Sequence, residues 1–454
     1  MEGTAHLQVA DATYALRRRF TGTGHKTLIP RTLYSMTTTA NGSEPVVITG
    51  IGLIASVGQD RESVWKAVCR GESGVDYLSG IPGIPDNKFL GASIELGEPL
   101  RGRLKVIPLC ERAAGEALSD ARLDLERVDR RRVGCAISGH MGDPGWIRNS
   151  YGKPDPPGDV SWWEQLMPNT ACTTVARKYD LGGPRLCHST ACASSLVSIL
   201  AATRAIRDQQ CDLALAGGGG AIHPILLAGF SRMRVLAKDS EPKRACRPFD
   251  VERKGFVLGE GAAVFVLERL SHALRRGARI YAKIAATKSL AQAHHVTGLD
   301  AESDSLAYLI SQTLAQANLS PADVGYINAH GTATRQNDRA EARGIRNAFG
   351  KAADSVTVSA TKPCLGHTIH GAGAVELAIT ALALRDGFAP PTLNLETLDP
   401  ECRLDCTRNV GRINRFQHAL KLSMAFGGHL VAAVLSRWDD AQTGFAYKGD
   451  AVDN

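Results

Sequence analysis

Leu186-Cys187-His188-Ser189-Thr190-Ala191-Cys192-Ala193-Ser194-Ser195-Leu196-Val197 is a strand-like segment that gives way, at a run of small residues, to an apolar-periodic helix continuing to about residue 208. The pattern predicts a strand–turn–helix unit with a thiol at the helix N-terminus. Unpaired N–H groups there carry partial positive charge, which favours thiolate. A cysteine of ordinary pKa, about 8.5, is thereby expected to become nucleophilic near neutral pH. Taken alone, Cys192 reads more readily as a small buried thiol than as a nucleophile.

Two distant histidine motifs bear on that choice. Asn328-Ala329-His330-Gly331-Thr332-Ala333-Thr334 follows the strand-like Val324-Gly325-Tyr326-Ile327, and Thr361-Lys362-Pro363-Cys364-Leu365-Gly366-His367 lies between a strand-like 356–360 and a helix beginning near Ala372. Both histidines are expected at strand exits, where α/β proteins gather their functional groups. A cysteine with separated histidines is a constellation for nucleophilic catalysis.

Working outward, strands are expected at 46–51, 133–138, 185–191, 211–216 and 262–267, with helices at 61–69 and after Cys192. A second series follows: strand 280–285, helix 303–317, strand 324–329, helix 339–349, strand 356–360, helix 372–385, and strands 420–424 and 431–435. Both series read βαβαβαββ, which predicts two layered α/β halves, 44–275 with the cysteine and 276–438 with the two histidines. Residues 1–43 are expected to be a disordered extension, with a transit peptide or a start at Met36 as alternatives. Residues 439–454 form a tail. The Gly-, Pro- and Trp-rich 139–165 reads as a loop insertion.

The 454 residues, 44% hydrophobic, suffice for a large core. No apolar run is long enough to span a bilayer. The 11 cysteines lack a CxxC pair or a spaced Cys/His metal signature, so no metal is expected and a reducing cytoplasm is. A net charge of +7, from 53 basic and 46 acidic residues, is interspersed, which disfavours nucleic acid as a partner.

The runs Thr190-Ala191-Cys192-Ala193-Ser194, His330-Gly331-Thr332-Ala333-Thr334, Lys362 with Gly366-His367, and Phe426-Gly427-Gly428 stand in one order that resembles the β-ketoacyl-acyl carrier protein synthases. Arg247-Pro248-Phe249-Asp250, Gly255–Ala262, Asn337-Asp338 with Glu341, and Gly371–Glu376 extend the resemblance over about 46–436. It implies a thiolase-like fold, duplicated halves in a five-layer α-β-α-β-α sandwich. It also implies decarboxylative condensation of a Cys192-bound acyl group with malonyl-carrier protein. His330 and His367 would stabilise the enolate, and the N–H groups of Cys192 and Phe426 would form an oxyanion hole. Lys362 would orient His367; Asp338, Glu341 and Glu376 would support it; Phe426 would gate the site on mobile glycines; Met141 would wall an acyl pocket. No bound cofactor is implied, the substrates arriving on carrier phosphopantetheine. An acidic acyl carrier protein and a second subunit, identical or not, are the implied partners, and a basic rim near the active-site mouth would steer the carrier; the basic clusters are Arg130-Arg131-Arg132, Arg232 with Arg234 and Lys238, and Arg275-Arg276. Met424-Ala425-Phe426-Gly427-Gly428-His429-Leu430 departs from the family's Phe-Gly-Phe-Gly-Gly-Thr-Asn, and Gly219-Gly220-Ala221 from a stretch that usually holds an acidic residue; both point towards a specialised polyketide-type substrate. A chain-length-setting partner subunit and a thiolase-like acyl-CoA transferase or hydrolase remain as alternatives.

Overall fold

The residues described by a computed structural model, 44–81, 83–97, 100, 103–139 and 167–439, carry the eight-element series twice. The first is β1 (Val46–Ala55), α1 (Val106–Asp120), β2 (Val133–Ser138), α2 (Thr170–Lys178), β3 (Arg185–Leu186), α3 (Ser194–Arg207), β4 (Leu213–Gly220) and β5 (Gly261–Arg269). The second is β6 (Ala282–Ala291), α4 (Ser305–Ala317), β7 (Val324–Asn328), α5 (Arg335–Phe349), β8 (Thr357–Ser359), α6 (Ala372–Asp386), β9 (His418–Ala425) and β10 (His429–Arg437). The helix Thr170–Lys178 was not expected, α5 starts at Arg335 and β6 runs on to Ala291, and two further differences bear on the site. The helix Arg61–Cys69 exists but is an addition, and α1 fills its place in the series. The strand expected to reach residue 191 stops at Leu186, after which the chain turns and the Ser138 hydroxyl donates to the His188 carbonyl at 2.8 Å.

Strand order makes the duplication explicit. The sheet runs β3-β2-β4-β5-β1-β6-β10-β9-β7-β8, with Asp405–Cys406 beyond β8. Numbered within its own half, each half reads 3-2-4-5-1, and the two meet where Val46, Val47 and Ile48 of β1 pair antiparallel with Ile284, Lys283 and Ala282 of β6. Within each half the second, third and fourth strands are parallel, as helical crossovers require, and the fifth is antiparallel to the fourth.

Alternation along the strands sorts their side chains into layers. On β5, Ala262, Val264 and Val266 face a core shared with α1 and α2, while Ala263, Phe265 and Leu267 face a central core shared with α3 and α6. On β10, Val431, Ala433 and Leu435 enter that same central core, and Leu430, Ala432 and Val434 face α4 and α5. Three apolar cores between helices, sheet, helices, sheet and helices make the five-layer sandwich. α6 lies in the middle and is buried on nearly every face, from Ala372 to Leu384.

The glycines closing β4 bring the central elements together. A Cβ on Gly218 would sit 2.8 Å from the Ser195 Cβ of α3, and one on Gly220 would sit 1.9 Å from the carbonyl oxygen of Thr368. Side chains there would drive the start of α3 and the segment after His367 away from the sheet. α3 and α6 are also joined directly, the Ser195 hydroxyl accepting the Ala374 N–H at 2.9 Å.

Candidate active site

Cys192 sits in a 3-10 turn, Ala191–Ala193, that runs straight into α3. Ala191 holds φ at 46°, a left-handed conformation that costs a non-glycine residue free energy. Ser194 clamps the turn: its hydroxyl donates to the Ala191 carbonyl at 2.7 Å and accepts the Thr190 N–H at 2.9 Å. The thiol is only 7% exposed.

His330 follows β7 on a loop fixed by Glu341 of α5, whose carboxylate accepts the N–H of His330 at 2.5 Å and of Gly331 at 2.8 Å. His367 follows the short helix Lys362–Leu365 and joins the first half through its N–H to the Val257 carbonyl, 2.7 Å, and its carbonyl to the Gly259 N–H, 3.0 Å. Nε2 of His367 lies 3.1 Å from Sγ of Cys192. The imidazoles meet edge to face, centroids 5.4 Å apart at 81°, and one nitrogen of each ring and the sulfur lie within 4.8 Å of one another.

Lys362 corrects one expectation. Its ammonium reaches Nδ1 of His330 at 3.3 Å, the His330 carbonyl, and Glu376 Oε1 at 2.5 Å; the imidazole it orients is His330 rather than His367. Because an ammonium only donates, Nδ1 of His330 accepts and the ring proton resides on Nε2. Nδ1 of His367 has no hydrogen-bond partner among the described residues. Asp338 stands further back, its carboxylate accepting the Phe249 N–H at 2.8 Å and lying 3.6 Å from Arg253 Nε.

Electrostatics correct a second expectation. Burial pushes the Cys192 thiol up to about 12, and the opposing Lys362 charge does not offset it. The N-terminal position that was to supply a thiolate is outweighed by loss of water. Burial, and then the Lys362 charge, hold both histidines well below the usual imidazole range. These directions favour a neutral thiol beside two neutral imidazoles. Burial also lifts Glu341 to about 7 despite its two N–H donors.

The three groups open onto a cavity of about 610 Å³ that is lined also by Phe426, Phe230, Phe256, Thr297 and Thr332. Phe426 packs on Phe230 at 6.1 Å, Phe230 on Phe256 at 5.4 Å, and Phe256 edge-on to His367 at 5.1 Å. The glycines after Phe426 hold φ values of 84° and 76°, and the turn is fastened by Gly427 N–H to Val296 and by Gln292 N–H to Gly428. Of the departing residues, Leu430 is buried in the core and the His429 ring lies over Gly427. Exposed Arg234, Lys254 and Arg335 line the cavity, and no acidic side chain among the described residues does. Met141, the extension 1–43, most of the 139–165 insertion and most of the tail lie outside the described residues. Sequence reasoning missed Phe230, Phe256 and a buried lysine, Lys421; in an apolar strand a single lysine reads as a solvent-facing position.

Among the described residues, no helix is long and apolar enough to cross a membrane. Residues 105–273 match the family model for the β-ketoacyl synthase N-terminal domain and 281–396 that for the C-terminal domain. The chain is 37% identical to the tetracenomycin polyketide synthase ketoacyl synthase alpha subunit of Streptomyces glaucescens, over 88% of this chain and 98% of that protein. It is 36% identical to 3-oxoacyl-[acyl-carrier-protein] synthase 2 of Coxiella burnetii, over 86% and 98%. Its structure resembles a type II polyketide synthase ketosynthase bound to the hexaketide and in complex with its acyl-carrier protein (TM-score 0.80, 30% identity, 87% of this chain and 100% of that one). It also resembles the ishigamide ketosynthase/chain length factor (TM-score 0.79, 28% identity, 87% and 100%).

Proposed function

The chain belongs to the β-ketoacyl synthase family, and from that premise we propose that Cys192, His330 and His367 carry out decarboxylative condensation between a Cys192-bound acyl group and a malonyl thioester. The observation that carries this reading is the asymmetry of the two imidazoles: Nε2 of His367 is within reach of the thiol proton, and Lys362 leaves His330 with its proton on Nε2.

In the first half-reaction the Cys192 sulfur attacks the carrier thioester as its proton passes to His367 Nε2. The acyl C–S bond to the carrier breaks, and the departing carrier thiolate takes the proton. Since burial holds the thiol neutral at rest, proton transfer accompanies attack rather than preceding it. In the second half-reaction the malonyl carboxylate leaves as carbon dioxide, and its bonding electrons form an enolate. With the thiol proton gone, His367 re-equilibrates through solvent to its Nε2–H tautomer, and the Nε2–H groups of His330 and His367 donate to the enolate oxygen. The α-carbon attacks the Cys192 thioester, the oxyanion is met by the N–H groups of Cys192 and Phe426, and the C–S bond breaks. Cys192 leaves as a thiolate and regains its proton from solvent water, leaving a 3-oxoacyl thioester on the carrier.

Both substrates are assigned to carrier phosphopantetheine arms, with no cofactor resident on this chain. Arg234, Lys254 and Arg335 at the cavity mouth suit an acidic carrier protein and the phosphate of its arm. A dimer, of two copies or with a chain-length-setting partner, and a cytoplasmic location complete the assignment. The full-length protein incubated with acyl- and malonyl-carrier substrates and followed by intact mass should show an acyl adduct on Cys192, then a 3-oxoacyl carrier. Hydrolysis without a carbon–carbon product, or no adduct at all, would refute it.

A further inference from the structure

Lys421 lies mid-strand in β9, where Leu420 and Leu422 face the outer core, so its side chain points the other way, into the central layer. It is wholly buried. Its Nζ lies 2.7 Å from Oε2 of Glu376, the carboxylate whose Oε1 holds Lys362. Its N–H bonds are aimed elsewhere, at the carbonyls of Leu422, of Ala329 at 3.2 Å and of Asn328 at 3.5 Å, so Oε2 has a charge partner but no aligned donor. Ala329 immediately precedes His330. Desolvating a second ammonium beside one carboxylate costs several kcal/mol that an apolar side chain in this strand would not.

Resting on the condensing reading above, we infer that Lys421 is a positioning residue for the enolate step, fixing Glu376 and the Ala329 carbonyl so that Lys362 stays against His330 and one net positive charge stands behind both imidazoles. Lys362, Lys421 and Glu376 sum to a single positive charge, which Glu341, accepting two backbone N–H groups and lifted to about 7, only partly offsets at neutral pH. Such a charge disfavours imidazolium and favours negative charge on an oxygen bound to the imidazole N–H groups. The Lys421 charge acts on both histidines in that sense.

The charge sum gives a test on the full-length protein. Among Lys362, Lys421 and Glu376, Lys421→Met removes one positive charge, and Lys421→Met with Glu376→Gln restores the original sum. With ¹⁵N-labelled histidine, the single variant should move the His330 and His367 protonation midpoints to higher pH and the double variant should move them back. The groups facing these rings are Cys192, Lys362, Lys421, Glu341, Glu376 and His370; Lys421 also lowers the Glu341 carboxyl, so the comparison is repeated in a Glu341→Gln background, where only the two substituted groups change. Malonyl decarboxylation should fall roughly 10- to 100-fold in Lys421→Met, the scale for partners one layer behind a reacting group, and partly recover in the double variant. Acylation of Cys192 should stay within about twofold. Lys421→Gln, which retains a donor to Ala329, replaces the Met variant if that one does not fold. Unmoved midpoints, or a double variant no closer to wild type than the single one, would overturn the role of Lys421. A wild-type protein that neither acylates nor decarboxylates would instead refute the condensing reading, while the titrations still judge Lys421.

Discussion

Lys362 stands against Nδ1 of His330 while His367 turns Nε2 to Cys192, so two residues of one type, on two loops of one half, are prepared for different work. His330 is fixed as a donor by a cation that can only donate. His367 is free to take a proton.

Separate duties predict separable half-reactions. Cys192→Gln should still decarboxylate malonyl thioester and form no acyl adduct, whereas His330→Ala should accept the acyl group and release carbon dioxide about 10²- to 10³-fold more slowly. Radiolabelled carbon dioxide and intact mass measure the two steps. A Gln variant that is inert, beside a His330 variant at full rate, would reverse the assignment.

A thiol held at about 12 ionises little at neutral pH. Alkylation of Cys192 should accelerate steadily from pH 7 to pH 9 with no plateau, and acyl substrate should protect it. A rate already level near pH 7 would mean a thiolate–imidazolium pair at rest.

Glu341 gives a stability test with a definite sign. Its carboxyl titrates near 7 in the fold and about 4.3 in an unfolded chain. Between those values the folded state binds more protons, so its contribution is present below about pH 4 and is lost as pH rises towards 7. Glu341→Gln lacks that slope. The stability difference, wild type minus variant, should therefore shrink between pH 5 and pH 8, as read by denaturant unfolding; a difference that grows would contradict a raised pKa.

Gly220→Ala places a methyl 1.9 Å from the Thr368 carbonyl. A loss of about 1–3 kcal/mol or more is expected, together with slower acylation as the segment after His367 is displaced. Unchanged stability and rate would mean that the contact relaxes freely.

Reversing the mouth charges, Arg234→Glu with Lys254→Glu, should raise KM for carrier-borne substrates several-fold and leave small pantetheine thioesters almost unaffected. An equal effect on both would place the defect inside the cavity.

Cys192, His330 and His367 were legible because each stands in a short motif at a strand–helix boundary, where backbone geometry restricts the residue choice. The strands were legible from their apolar runs. α1 was not, since only the short strands Asp76–Tyr77 and Leu90–Ala92 are described between Arg61–Cys69 and it, and no local signal says which of two helices will cover the sheet. Lys421 and the true partner of Lys362 were hidden for another reason: Glu376 meets both lysines only after α6 docks against β9, and such a meeting leaves no trace in either segment. The Cys192 ionisation was misjudged because a helix start is readable from sequence, whereas the depth of burial around it is not.

The central core draws on β1 at one end of the chain and β10 at the other. During synthesis the first half can close its outer core with α1 and α2, yet its inner face must wait, uncovered, for α6, β9 and β10. A ribosome-bound chain is thus exposed to aggregation until almost its last described residue has emerged, and contacts as distant as the one between Cys192 and His367, 175 residues apart, are slow to find. Truncation within β10 should therefore yield an insoluble chain rather than a weakened enzyme.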